Sequence, residues 1–144
     1  MRRQNKMPKK ATKKLIIWLI EDDLPTKEIY DAALNAAGYT VECIDTGREI
    51  YEKFEEIKQG KKEKPDLVLL DLILPDANGI EILKKAKDDD ILKNLSFFIF
   101  TNYTDPDLER EALKMEADKY IVKTNFIPSQ ILGMIKEWFV SKGK

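Results

Sequence analysis

The sequence predicts an α/β domain, a doubly wound five-stranded parallel sheet with about five flanking helices. Three observations carry that prediction. Five apolar runs, each too short for a helix, sit at 15–20, 41–44, 67–70, 97–100 and 120–122. Segments with helical apolar spacing separate or follow them, at 26–37, 48–58, 80–87, 106–115 and 129–140, so strand and helix alternate throughout. The 144 residues, 43% hydrophobic and 35% charged, suit one domain with a full-sized core, placed at 15–141 between short tails at 1–14 and 142–144.

Each element has its own signal. The first run, LIIWLI, ends abruptly on Glu21, Asp22 and Asp23, and the helix behind it is closed by Gly38, a residue suited to the left-handed position past a helix end. After the second strand and helix, the stretch KQGKKEKPD reads as a solvated loop. The third run stops on Asp71, and Asn78 is placed to cap the third helix. Asp105 and Pro106 open the fourth helix as a capping carboxylate and a proline fitted to the first turn. The last helix sets Ile131, Leu132, Ile135, Trp138 and Phe139 on one stripe, as docking on a sheet requires.

Composition narrows the function. Seven basic residues and no acid fall within the first fourteen, which reads as a disordered, solubilising tail rather than a nucleic-acid arm. The apolar run behind it is too short for a secretory signal, and no segment reaches membrane-spanning length. A single cysteine, Cys43, rules out an intrachain disulfide or a thiolate cluster and suits a reducing cytoplasm. The absence of histidine removes imidazole triads, His-ligated zinc and any phosphohistidine role.

Alternation implies right-handed crossovers, so every strand's carboxyl end lies along one edge, where ligands bind at the switch point of strand order. The residues following the strands are Glu21 and Asp22, then Asp71, Thr101 and Lys123. A 2-1-3-4-5 order crowds the three acids together, and their repulsion calls for a cation. All-oxygen ligands with open positions favour Mg²⁺, which keeps waters and awaits a phosphate. A carboxylate attacking a phosphoryl group needs such a metal and a cation, here Lys123, more than a base. Asp71 then becomes an acyl phosphate, with Pro75 as a rigid bend and Gly79 as a permissive backbone position in the loop around it. Plainer roles stand beside these: Asp71 as a turn carboxylate, the acidic triplet as a helix N-terminal cluster, Thr101 as a strand cap and Lys123 as a surface lysine.

The pieces LIIWLIEDD, LVLLDLILPDANG, FFIFTN and DKYIVK, in this order and spacing, resemble the receiver domain of two-component response regulators, of the type also found in chemotaxis regulators. The resemblance spans nearly all of 15–140 and implies a flavodoxin-like fold. By matching position it implies Asp71 as phosphoacceptor and metal ligand, Asp22 as a direct Mg²⁺ ligand, and Glu21 acting through metal-bound water. Ile73 is implied to lend its backbone carbonyl to the metal. Thr101 and Lys123 are implied to contact the phosphoryl group. Tyr120 falls at the aromatic switch position, with core packing as the rival role, and the fourth helix, fifth strand and fifth helix form the output face.

Two departures from that family stand out. Thr124 replaces the proline usual after the lysine, so a trans bond is expected there, because a cis bond before a non-proline residue costs about 3–4 kcal/mol. Glu116 replaces a frequent glycine past the fourth helix, where positive φ costs a non-glycine residue about 1 kcal/mol. Bulky, apolar Ile73 and Tyr103 flank the implied phosphoryl position and predict slow self-dephosphorylation.

The expectation is a stand-alone cytoplasmic receiver that takes phosphate from a histidine kinase or phosphotransfer protein and acts on a downstream protein. It is expected to bind neither nucleic acid nor membrane, to have the option of dimerising through the output face, and to catalyse only its own phosphorylation and dephosphorylation. A phosphorylation-independent scaffold is the alternative motivated by Thr124 and Glu116. An aspartyl phosphatase of the haloacid dehalogenase type needs a second carboxylate where Ile73 stands, and a flavodoxin-like cofactor protein lacks its phosphate-cradling loop.

Overall fold

The computed structural model describes residues 13–144. Most of the basic tail, residues 1–12, lies outside the described residues. The elements alternate as expected: β1 (Ile16–Ile20), α1 (Leu24–Ala36), β2 (Thr40–Ile44), α2 (Gly47–Lys58), β3 (Leu67–Leu70), α3 (Gly79–Lys87), β4 (Phe97–Thr101), α4 (Pro106–Lys114), β5 (Lys119–Val122) and α5 (Pro128–Ser141). The strands form one parallel sheet in the order β2-β1-β3-β4-β5.

The sheet's two faces read directly from residue parity, since successive strand side chains point to opposite sides. Trp18, Ile20, Val68, Leu70, Phe97 and Ile99 face one side, where they meet Ile50, Phe54, Ile82, Leu83 and Ala112 of α2, α3 and α4. Ile17, Leu19, Leu67, Leu69, Phe98 and Phe100 face the other and meet Tyr30, Leu34, Ile131, Ile135 and Phe139 of α1 and α5. Coverage on both faces explains why the central strands are continuous apolar runs rather than alternating ones. Trp18 stacks on Phe54 with ring centroids 6.1 Å apart. Among the described residues its indole N–H has no acceptor, a cost of about 1–3 kcal/mol that burial of the ring offsets.

Helix α1 begins two residues before the apolar spacing suggested, because Asp23 caps it by accepting from Thr26 N at 3.1 Å, with Pro25 in the first turn. Asn78 caps α3 as expected, accepting from Ile80 N at 2.8 Å. Helix α4 closes with Glu116 at φ 70°, its N–H bonded to the Leu113 carbonyl and that of Ala117 to the Ala112 carbonyl, each at 3.0 Å. Glycine occupies the equivalent left-handed positions after α1, α2 and α5, at Gly38, Gly60 and Gly143. The edge strand β2 is guarded by Glu42, which pairs with Lys53 and Lys62, each at 2.9 Å.

Gly79 corrects an expectation. Its φ is not among the positive ones, so backbone permissiveness is not its role. A Cβ there would stand 2.5 Å from the Asp71 carbonyl oxygen and 2.8 Å from Leu72 Cα. Glycine is needed because α3 starts against the end of β3. The loop between them is also fixed from outside, where Asp76 accepts from Gly47 N at 2.7 Å and Arg48 N at 3.0 Å at the start of α2.

Candidate functional site

Glu21, Asp22, Asp71, Thr101 and Lys123 stand at the carboxyl ends of the strands or directly beyond them, and all line one open cleft of about 470 Å³. Each gets there by the same logic: an apolar strand is buried until the sheet edge, and the next residue emerges beside its neighbours. The backbone N–H of Glu21 bonds the Ile44 carbonyl at 2.9 Å and that of Asp71 bonds the Ile20 carbonyl at 3.2 Å, extending the sheet by one residue on each strand. One carboxylate oxygen from each of Glu21, Asp22 and Asp71 lies within 4.8 Å of the others.

Lys123 closes the cluster. Its ammonium bonds Glu21 Oε1 and lies 3.1 Å from Asp71 Oδ2. The three side chains are 9%, 1% and 10% exposed, so the charges meet largely away from bulk water. Glu21 Oε2 accepts from Asp23 N at 3.0 Å, leaving both of its oxygens engaged. Burial pushes the Glu21 carboxyl above its ordinary value, with the hydrogen bond from Lys123 opposing and the charge of Asp71 adding to the rise. Asp22 is exposed beside them.

The remaining walls come from loops. Asp71 Oδ1 accepts from Ile73 N at 3.3 Å. Ile73 faces Asn78 in an isolated antiparallel bridge whose bonds run from Gly79 N to the Leu72 carbonyl and from Leu74 N to the Ala77 carbonyl, so the Ile73 carbonyl stays outside that ladder. Thr101 is buried, and its hydroxyl accepts from Tyr103 N at 3.2 Å. Tyr120 does not line the cleft. It is half-buried on β5 and donates its hydroxyl to the Tyr103 carbonyl at 2.7 Å, so it touches the loop that follows Thr101 and not the acids themselves.

The departures are accommodated. Among the described residues no peptide bond is cis, so Lys123–Thr124 is trans as expected. Beyond Lys123 the chain forms a 3₁₀ turn, Lys123–Asn125, which sequence spacing did not reveal. Asp23, the last acid of the triplet, caps α1 at its N-terminus, and its carboxyl is held below the usual value by its bonds from Thr26. The cluster's chemistry is that of a hard-cation site joined to a fixed ammonium: three oxygen donors, a neutralising lysine and a free approach from solvent.

The sequence profile described as the response regulator receiver domain matches residues 17–136. The chain belongs to that family. Among relatives of this receiver domain, the phosphate regulon transcriptional regulatory protein PhoB of Pseudomonas aeruginosa is 31% identical over 124 residues, covering 83% of this chain and 49% of that protein. The polar-differentiation response regulator DivK of Brucella anthropi is 27% identical over 112 residues, 78% of this chain and 86% of DivK. The chain thus spans about half the length of PhoB but most of DivK. In structure it is similar to a CheY-like receiver domain protein of Methanospirillum hungatei, with a TM-score of 0.76 at 27% identity, covering 91% of this chain and 98% of that one. The Mn²⁺-bound form of response regulator Rcp1 shares the fold, with a TM-score of 0.77 at 20% identity over 86% and 94% of the two chains. Among the described residues, no helix is long and apolar enough to cross a membrane.

Two site features escaped sequence reasoning. Asp76 secures the loop carrying Ile73 through a bond to α2, 29 positions away in sequence. Asn102 bonds Thr124 across 22 positions. Neither has a local signature, since each is an ordinary loop polar residue until the fold supplies its partner.

Proposed function

We propose that this receiver domain accepts a phosphoryl group on Asp71 in a Mg²⁺-dependent reaction. The observation that carries the reading is the convergence of Asp71 with Glu21, Asp22 and Lys123 in one solvent-open cleft. Asp22 and Asp71 are assigned as direct metal ligands, together with the Ile73 backbone carbonyl. Glu21, held by Lys123 and by the Asp23 N–H, would act through metal-bound water. The metal's contribution is to neutralise the phosphoryl oxygens that the carboxylates would otherwise repel.

The chain's own groups do the rest. The Asp71 carboxylate attacks phosphorus, a P–O bond forms, and the donor's P–N bond breaks as its imidazole leaves with the electron pair and takes a proton. Lys123 supplies positive charge beside the new acyl phosphate, and Thr101 turns its hydroxyl toward it. Tyr120 follows through its bond to the Tyr103 carbonyl, carrying the change to the face formed by α4, β5 and α5, where a downstream protein or a second copy binds.

A histidine kinase or phosphotransfer protein in the cytoplasm fits as donor. Exposed apolar side chains at Leu24, Ile73, Tyr103, Phe126 and Ile127 stand on segments along the same sheet edge, around a charged cleft too open to hold a small donor tightly. The phosphorylation-independent scaffold gains no support, because Thr124 and Glu116 are both absorbed without displacing an acid or Lys123.

Intact mass after incubation with Mg²⁺ and acetyl phosphate tests the reading. A phosphoryl adduct is expected on wild type and not on Asp71→Asn. An adduct on both, or on neither, would overturn it.

A further inference from the structure

Lys123 opens the 3₁₀ turn Lys123–Asn125, and the residue before it, Val122, is extended and offers no side-chain cap. The first N–H groups of any helical turn have no partner within it and must find one elsewhere. The turn's own bond runs from Phe126 N to the Lys123 carbonyl at 3.3 Å. The N–H of Thr124 is satisfied from outside the turn, by Asn102 Oδ1 at 3.1 Å. Asn102 directly follows Thr101, in the loop between β4 and α4. One side chain therefore caps the turn that carries the lysine while sitting next to the buried threonine.

The residue at 124 makes this possible. A proline there would have no N–H to give. Threonine supplies the donor, and an asparagine amide oxygen accepts it.

We propose that the Asn102–Thr124 bond is a latch that positions the Lys123 ammonium against Asp71 and ties it to Thr101. The inference rests on Asp71 being the phosphoacceptor. A lysine head group rides on a flexible four-carbon stem, so its backbone anchor governs how often it occupies its working place. Here that anchor is the end of β5, where Val122 pairs with Thr101, followed by one short turn pinned by a side chain from the neighbouring loop. Any movement of Thr101 toward a phosphoryl group is felt one peptide away at Asn102, so the latch stretches or re-forms and Lys123 registers the change. Asn102 is thus a positioning residue that acts through Lys123.

The test combines amide exchange at Thr124 with the rate of phosphorylation by acetyl phosphate. The Thr124 amide is expected to be protected in wild type, unprotected in Asn102→Ala and again protected in Asn102→Asp, which keeps an acceptor oxygen. Asn102→Ala is expected to phosphorylate about 3- to 10-fold more slowly, the factor set by one neutral hydrogen bond, with recovery in Asn102→Asp. In a Lys123→Ala background, Asn102→Ala is expected to add no further slowing. An unprotected Thr124 amide in wild type, no recovery in Asn102→Asp, or equal slowing in both backgrounds would overturn the latch while leaving Asp71 as acceptor. No adduct on wild-type protein would overturn the assignment of Asp71 and the latch with it.

Discussion

The Lys123 ammonium lies 3.1 Å from Asp71 Oδ2 and also bonds Glu21 Oε1, so one cation serves two largely buried carboxylates. Breaking a buried pair leaves an uncompensated charge, which costs about 3–5 kcal/mol where water is excluded; with the cleft open, Lys123→Met is expected near the lower figure at neutral pH. The sign of the pH dependence follows from Glu21, whose carboxyl is already held above its ordinary value by burial. Without Lys123 that pKa rises further, and a raised carboxyl pKa means ionisation opposes folding. The variant's deficit should therefore be small where Glu21 is still protonated in wild type and grow as pH rises above the carboxyl's folded value. Urea unfolding at pH 5 and pH 8 measures this, and an equal deficit at both would contradict it.

Sheet and site differed in how far the sequence revealed them. The expected strand at 67–70 matches β3, and the other strands shift by a residue at one end, because short apolar runs between polar boundaries leave little freedom. The strand-end residues Glu21, Asp22, Asp71, Thr101 and Lys123 were legible for the same reason: parallel topology puts strand ends on one edge, whatever the loops do. The loops were not. The turn after Lys123 depends on an acceptor from Asn102, the anchoring of the β3–α3 loop on the bonds of Asp76 to the start of α2, and the need for glycine at 79 on backbone atoms of Asp71 and Leu72. Each is a contact between segments with no periodic pattern, so only the assembled fold defines it.

Gly79 is the first of these contacts to test. Alanine there would push its Cβ to 2.5 Å from the Asp71 carbonyl oxygen, which is backbone and unable to swing aside. Gly79→Ala is expected to cost about 3 kcal/mol, the upper part of the usual overpacking range, and to slow phosphorylation because the strain falls on the residue carrying the carboxylate. Thermal unfolding and adduct formation measure the two effects. A variant with an unchanged midpoint would show that α3 can move away freely.

Glu116 offers the opposite change. At φ 70° it holds a left-handed position of the kind that Gly38, Gly60 and Gly143 occupy after α1, α2 and α5. Nothing in the two capping bonds there uses the glutamate side chain, since both run through backbone groups. Glu116→Gly is expected to stabilise the domain by about 1 kcal/mol, reduced somewhat by glycine's greater freedom in the unfolded chain. A lowered midpoint in denaturant would point instead to a side-chain contact at this end of α4.

Ile73 and Tyr103 bear on how long a phosphoryl group persists. They stand 58% and 46% exposed on loops beside Asp71 and Thr101 and line the cleft between them. Tyr103 is fixed on both sides of its own residue, its N–H on Thr101 Oγ1 at 3.2 Å and its carbonyl receiving the Tyr120 hydroxyl at 2.7 Å. Hydrolysis of an acyl phosphate needs a water aligned with the breaking bond. The Ile73 side chain has no polar atom with which to orient that water, and the bulk of the Tyr103 ring narrows its approach. Slow decay of phosphorylated wild type is therefore expected. Replacing Ile73 by Asn and Tyr103 by Glu adds groups able to orient or deprotonate water and should shorten the lifetime on the order of tenfold, a modest share of what a well-placed base supplies. Phosphate release from purified, donor-free protein measures both rates. Wild type decaying as fast as the double variant would show that water reaches the acyl phosphate by a path these two side chains do not guard.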